Sequence, residues 1–167
     1  MFKFLKKKEE KVEPVVDEVY RSFGKGKVLP LEEVPDQVFA QKMMGDGYAL
    51  ELSDSKIVAP ISGEVALVFP TGHAFGIKDK DGVEILIHLG IDTVELNGLG
   101  FESKVVQGQK VKQGDVLSYM DLEAIKNAGK SIISPFIITS GQSVTLHKAH
   151  QEVDHDSEGI ITINLEG

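Results

Sequence analysis

"HAFGIKDKDGVEILIHLG", residues 73–90, decides the fold class. In its second half Val83, Ile85, Ile87 and Leu89 alternate with Glu84, Leu86, His88 and Gly90. That is the period of a β-strand, whose successive side chains point to opposite faces. The "DKDG" between the two halves is suited to reversing the chain between antiparallel strands. Counting back from this turn sets Ile77 opposite Glu84 and His73 opposite His88. The count assumes no bulge, and a slip of one residue would send one ring to the other face.

Outward from this hairpin the pattern repeats. "GYALEL", "KIVAP", "GEVALVFP", "DVLSYM", "SIISPFIIT" and "GIITINL" read as further strands, with turns at "DSK", "ISG" and "NGLG". Helical periodicity is scarce. "DLEAIKNAG" is the best helix candidate, with Asp121 able to cap it and Gly129 able to stop it, and "VPDQVFAQKMMGDG" can hold another turn. The expected fold is all-β, an antiparallel sandwich or barrel-sandwich with one or two short helices. Residues 1–18, "MFKFLKKKEEKVEPVVDE", read as a flexible tail with a lysine-rich, apolar tip suited to weak contact with anionic lipid. Residues 19–167 read as one domain, the count expected for a chain of 167 residues.

Composition removes several function classes. With 26 acidic against 18 basic residues the formal net charge is -8, opposite to the positive surface that displaces counterions from nucleic acid. The chain has no cysteine, which excludes disulfides, thiolate nucleophiles and Cys-ligated zinc within it. No apolar run approaches the ~20 residues of a membrane span, and the first residues lack the features of a secretory signal. The protein is expected to be cytoplasmic.

His88 and His73 are the chemically suggestive residues. As strand side chains they can be hydrogen-bonded structural groups, or they can react. An imidazole has an ordinary pKa of ~6.5 and stays largely neutral and nucleophilic near pH 7. It can attack phosphorus without a separate base, and the phosphoimidazole formed leaves readily. Such a pair suits a phosphoryl relay in which one ring accepts the group and donors surround its oxygens. Thr71, two residues before His73, can fix the tautomer of that ring.

Five segments, "VPDQVFAQKMMGDGYAL", "VAPISGEV", "GHAFGIK", "GVEILIHLGIDTVELNGLGF" and "GQKVKQGDVL", resemble in order and spacing the glucose-type IIA domains of the bacterial phosphoenolpyruvate-dependent sugar phosphotransferase system. The resemblance covers about residues 31–139. It implies that His88 accepts a phosphoryl group from the histidine-containing phosphocarrier protein and passes it to a cysteine on a IIB domain. It also implies that His73 binds the phosphoryl group and that Thr71 orients His73. A shallow docking face is implied around the rings, with Val38, Phe39, Met44, Phe69, Leu86 and Val94 as its apolar rim and Asp92 as a contributor to partner recognition. No resident cofactor or metal is expected; zinc at His73 and His88 would need a further ligand from a partner.

The chain departs from the family pattern in two places. "VYRSFGKGKVLPLEEVPD" carries Arg21 and Lys25 where a proline-bearing turn is usual, and Gln37 occupies a docking position that is often apolar. His147, His150 and His155 form a second cluster, without helical context, and read as surface side chains. "VVQGQKVKQGDVL" also resembles the hairpins of biotinyl and lipoyl carrier domains. The lysine at issue, Lys126, falls in the expected helix rather than at a hairpin tip, which weighs against that alternative. A regulatory module whose binding follows its phosphorylation is compatible with the relay.

Overall fold

The computed structural model describes residues 18–165. The expected tail falls outside the described residues except for Glu18, whose carboxylate accepts from the Ser62 N–H and hydroxyl at 2.8 and 2.7 Å. The expected lipid contact of the tail also lies outside them. Among the described residues no helix is long and apolar enough to cross a membrane.

Among the described residues there are thirteen strands, in chain order β1 Gly26–Pro30, β2 Asp46–Leu52, β3 Lys56–Val58, β4 Gly63–Val68, β5 Ala74–Asp79, β6 Glu84–His88, β7 Phe101–Ser103, β8 Lys110–Val111, β9 Val116–Met120, β10 Ile133–Ile138, β11 Ser143–Leu146, β12 Glu152–Val153 and β13 Ile161–Asn164. Eight of them form a sheet in the order β12-β1-β2-β10-β6-β5-β4-β8, with every neighbouring pair antiparallel. A second sheet has the order β3-β9-β7, and β11 pairs with β13. The segment that departs from the family pattern still yields β1, which pairs along β2 with Val28 opposite Leu50. Arg21 in that segment bridges to Glu158 through both backbone and side chain.

The alternation read in residues 83–90 is realised in three dimensions. Val83, Ile85, Ile87 and Leu89 are buried in the main core with Phe23, Tyr48, Phe75 and Phe136, against Ile57, Leu117 and Met120 of the second sheet. Burial of each aromatic ring contributes roughly 2–3 kcal/mol, and Tyr48 and Phe136 pack with ring centroids 5.0 Å apart. The opposite face of the large sheet has its own apolar cluster. There Leu29, Ala49, Ile137, Leu86 and Ala74, one from each of β1, β2, β10, β6 and β5, meet Leu31, Val34 and Phe39. The result is an antiparallel β-sandwich.

The expected register is off by one. Ile77 pairs with Ile85 and Ala74 with His88, because the reversal is a three-residue loop, residues 80–82. The Asp79 N–H donates to the Val83 carbonyl at 2.9 Å, and Gly82 closes the loop at φ 84, a left-handed conformation that suits glycine. The Asp79 carboxylate accepts from the N–H groups of Asp81 and Val83.

Both helices form as expected. In α1, Gln37–Ala40, the Asp36 carboxylate accepts from the N–H groups of Val38 and Phe39. In α2, Leu122–Asn127, Asp121 accepts from the Ala124 N–H, and Gly129 turns the chain away at φ 83.

Candidate active site

His88 is the last residue of β6, and its ring stands on the face that carries Leu86. His73 lies one residue before β5, in the bend that follows Gly72 at φ 75. Strict strand alternation with the observed register would have turned His73 away from His88. The bend frees it from that alternation, and the two ring centroids are 5.1 Å apart with planes at 75°. The sequence-derived pairing was wrong by one residue, yet the rings meet.

Each ring is wedged by an aromatic side chain. Phe39, from α1, lies 5.1 Å from His88, and Phe69, between β4 and β5, lies edge-on 5.0 Å from His73. His73 is 4% exposed and His88 is half-buried. Burial lowers the pKa of His73 to about 4, with the proximity of His88 adding to the effect. Burial also lowers that of His88, against the opposing pull of the Gly90 carbonyl and of Asp36 and Asp92. Both rings are therefore neutral near pH 7.

Hydrogen bonding assigns the nitrogens. His88 Nδ1 lies 2.7 Å from the Gly90 carbonyl oxygen, which can only accept, so Nδ1 carries the proton. In the neutral ring Nε2 then has a free lone pair. His73 Nδ1 is bonded to Thr71 Oγ1. When the Thr71 hydroxyl donates, the His73 proton resides on Nε2, where it can donate onward. The site thus combines a nucleophilic nitrogen with a neighbouring imidazole donor.

The implied docking residues divide in two. Val38, Met44 and Val94 are 42%, 43% and 50% exposed, Asp92 is exposed at φ 60, and Phe69 is half-buried. Phe39 and Leu86, expected on the rim, are instead buried at 6% and 7% exposure in the apolar cluster beneath the rings. Strand alternation puts Leu86 there, and the short α1 turns Phe39 inward. Met43 and Leu99 are exposed apolar residues that the sequence reading did not select; the "MM" pair was a signal for the first, and nothing marked the second.

The C-terminal histidines do not converge. His147 bonds Thr162, His150 bonds Glu33 and His155 bonds the Lys56 carbonyl. Among the described residues no three His, Cys, Asp or Glu side chains cluster as metal ligands. A cavity of about 730 Å³ lined by Tyr20, Ile61, Asp79 and Ile163, and another of about 600 Å³ lined by Asp54, Tyr119 and Glu123, both exclude the paired histidines. Lys126 lies exposed within α2.

A family model for the phosphoenolpyruvate-dependent sugar phosphotransferase system, EIIA 1, matches residues 18–144. A solved structure, glucose permease IIA from Mycoplasma capricolum, is 39% identical, with a TM-score of 0.77 over 87% of this chain and 94% of that one. With this agreement of sequence and fold, the chain belongs to the EIIA 1 family and has a phosphocarrier role in the sugar phosphotransferase system.

Proposed function

We propose that His88 is the phosphoryl acceptor and that it reacts through Nε2. The lone pair on Nε2 attacks phosphorus on the histidine-containing phosphocarrier protein; a nitrogen–phosphorus bond forms here as the donor's breaks, and the donor imidazole leaves with the electron pair. In the second step a IIB-domain cysteine thiolate attacks the same phosphorus and His88 regains its lone pair. The proton stays on His88 Nδ1, donated to the Gly90 carbonyl, throughout, so neither step needs a base. His73, oriented by Thr71, donates from Nε2 to the phosphoryl oxygens, where charge is spread in transfer. The observation that carries this reading is the 2.7 Å contact of His88 Nδ1 with the Gly90 oxygen, which leaves Nε2 unprotonated beside His73.

The exposed residues Val38, Met44 and Val94 supply an apolar docking rim, with Asp92 as the charged contact and Phe69 at its margin. Phosphate on His88 adds negative charge beside that rim, so binding of any regulatory partner there follows the phosphorylation state. That role suits a protein of the cytoplasm, facing its transporter. Zinc would find two ligands in His73 and His88, and tetrahedral coordination requires more from a partner.

The test incubates the protein with phosphoenolpyruvate, the first enzyme of the system and the phosphocarrier. An acid-labile, alkali-stable phosphohistidine is expected, absent in His88→Ala. Label retained in that variant would overturn the assignment.

A further inference from the structure

We infer that Ser134, with Thr93, is a positioning residue for phosphoryl transfer: it holds the Leu89–Gly90 peptide so that the Gly90 carbonyl fixes the tautomer of His88. The inference rests on His88 being the acceptor and extends that reading to residues that touch neither ring.

The His88 tautomer depends on one oxygen, that of Gly90. Gly90 stands at φ 78, and a side chain there would collide with the Thr93 methyl at 2.6 Å and the Ser131 oxygen at 2.8 Å. The carbonyl is therefore aimed by backbone, in a left-handed conformation that an unanchored peptide need not keep. Four hydrogen bonds anchor it. The Gly90 N–H donates to Ser134 Oγ at 3.0 Å, and Ser134 in turn donates to the Ile132 oxygen at 3.0 Å. At the other end of the same peptide, Thr93 Oγ1 donates to the Leu89 oxygen at 2.6 Å. The next peptide, which carries the Gly90 oxygen itself, is held by its Ile91 N–H, which donates to the Ser131 oxygen at 3.1 Å.

Ser134 and Thr93 are both fully buried. Their hydroxyls face the peptide from β10 and from the 3-10 turn Thr93–Leu96. A hydroxyl is the right group for Ser134, because it must accept from one backbone group and donate to another at once. Loss of the Ser134 oxygen leaves the Gly90 N–H buried without a partner and releases that end of the peptide, which can then tilt about its remaining bond to Thr93. The Gly90 oxygen then loses its aim at Nδ1, and the His88 proton is free to occupy Nε2, where it blocks the nucleophile.

The experiment records imidazole nitrogen resonances in the unphosphorylated protein, together with the rate of phosphoryl acceptance from the phosphocarrier. In the parent protein His88 should be protonated on Nδ1 and bare on Nε2. In Ser134→Ala the Nε2-protonated form should become populated and acceptance should slow about tenfold, the scale at which outer hydrogen-bond partners of functional histidines act in metal sites. Ser134→Thr, which keeps the hydroxyl, should restore both. Thr93→Val releases the same peptide from its other end and carries the test should Ser134→Ala not fold. A parent-like tautomer in the folded variants overturns the inference, as does equal loss in Ser134→Ala and Ser134→Thr, which would mark packing alone. The tautomer is read without phosphate, so a failure of His88 to accept phosphate would show separately.

Discussion

His73 and His88 on one side, and His147, His150 and His155 on the other, are two groups of the same residue in one chain, and they differ in what surrounds them. The first two are squeezed between Phe69 and Phe39, share a neighbour in each other, and are neutral through desolvation. The C-terminal three each bond a separate group, Thr162, Glu33 or the Lys56 carbonyl. Convergence and burial set the first pair apart, and these are what a nucleophile would require, with its lone pair assigned and a second donor within reach.

Substitutions should sharpen this contrast in a graded series. Alanine at His88 should abolish phosphoryl acceptance, whereas the triple variant of His147, His150 and His155 to alanine should accept at the parental rate. Phosphorylation lost in the triple variant would dissolve the distinction. His73→Gln should still accept phosphate but pass it to a IIB domain about 10²–10³ times more slowly, the range seen when one transition-state donor is removed; undiminished transfer would deny His73 its role. Thr71→Val should slow the same step by about tenfold, as outer-partner loss does elsewhere, and Thr71→Ser should recover it.

Acid offers a further way to break the comparison. His73 has a pKa of about 4 when folded against its ordinary 6.5, so between these values the unfolded chain binds more protons than the folded one. Its contribution to stability is present above 6.5 and is lost as the pH falls toward 4. Denaturant midpoints should decline through that window and decline less in His73→Gln; identical slopes would contradict the buried, neutral ring. The smallest effect belongs to His150, whose bond to Glu33 is exposed on both sides. His150→Ala should alter stability by less than about 1 kcal/mol in a denaturation experiment.

Much of this arrangement is legible along the chain. The period-two pattern of residues 83–90 identifies the buried row and puts His88 off it, while Asp121 and Gly129 mark the ends of a helix that forms where expected. The register is not legible in the sequence because "DKDG" fits either a two-residue or a three-residue reversal, and only the Asp79–Val83 bond distinguishes them. Phe39 and Leu86 read as rim residues but are buried, since an apolar side chain looks the same whether it meets a partner or its own core.

The sequence by itself determined the strand alternation, the reversal points, the helix caps and the family, because each is written in residues close together in the chain. Tertiary structure alone decided the chemistry of the pair. The bend at His73, the aim of the Gly90 oxygen and the tether of the Gly90 N–H to the Ser134 hydroxyl, 44 residues away, come from groups brought together across strands. Side-chain identity reports local preference, whereas the direction of a carbonyl follows from where the rest of the chain holds it.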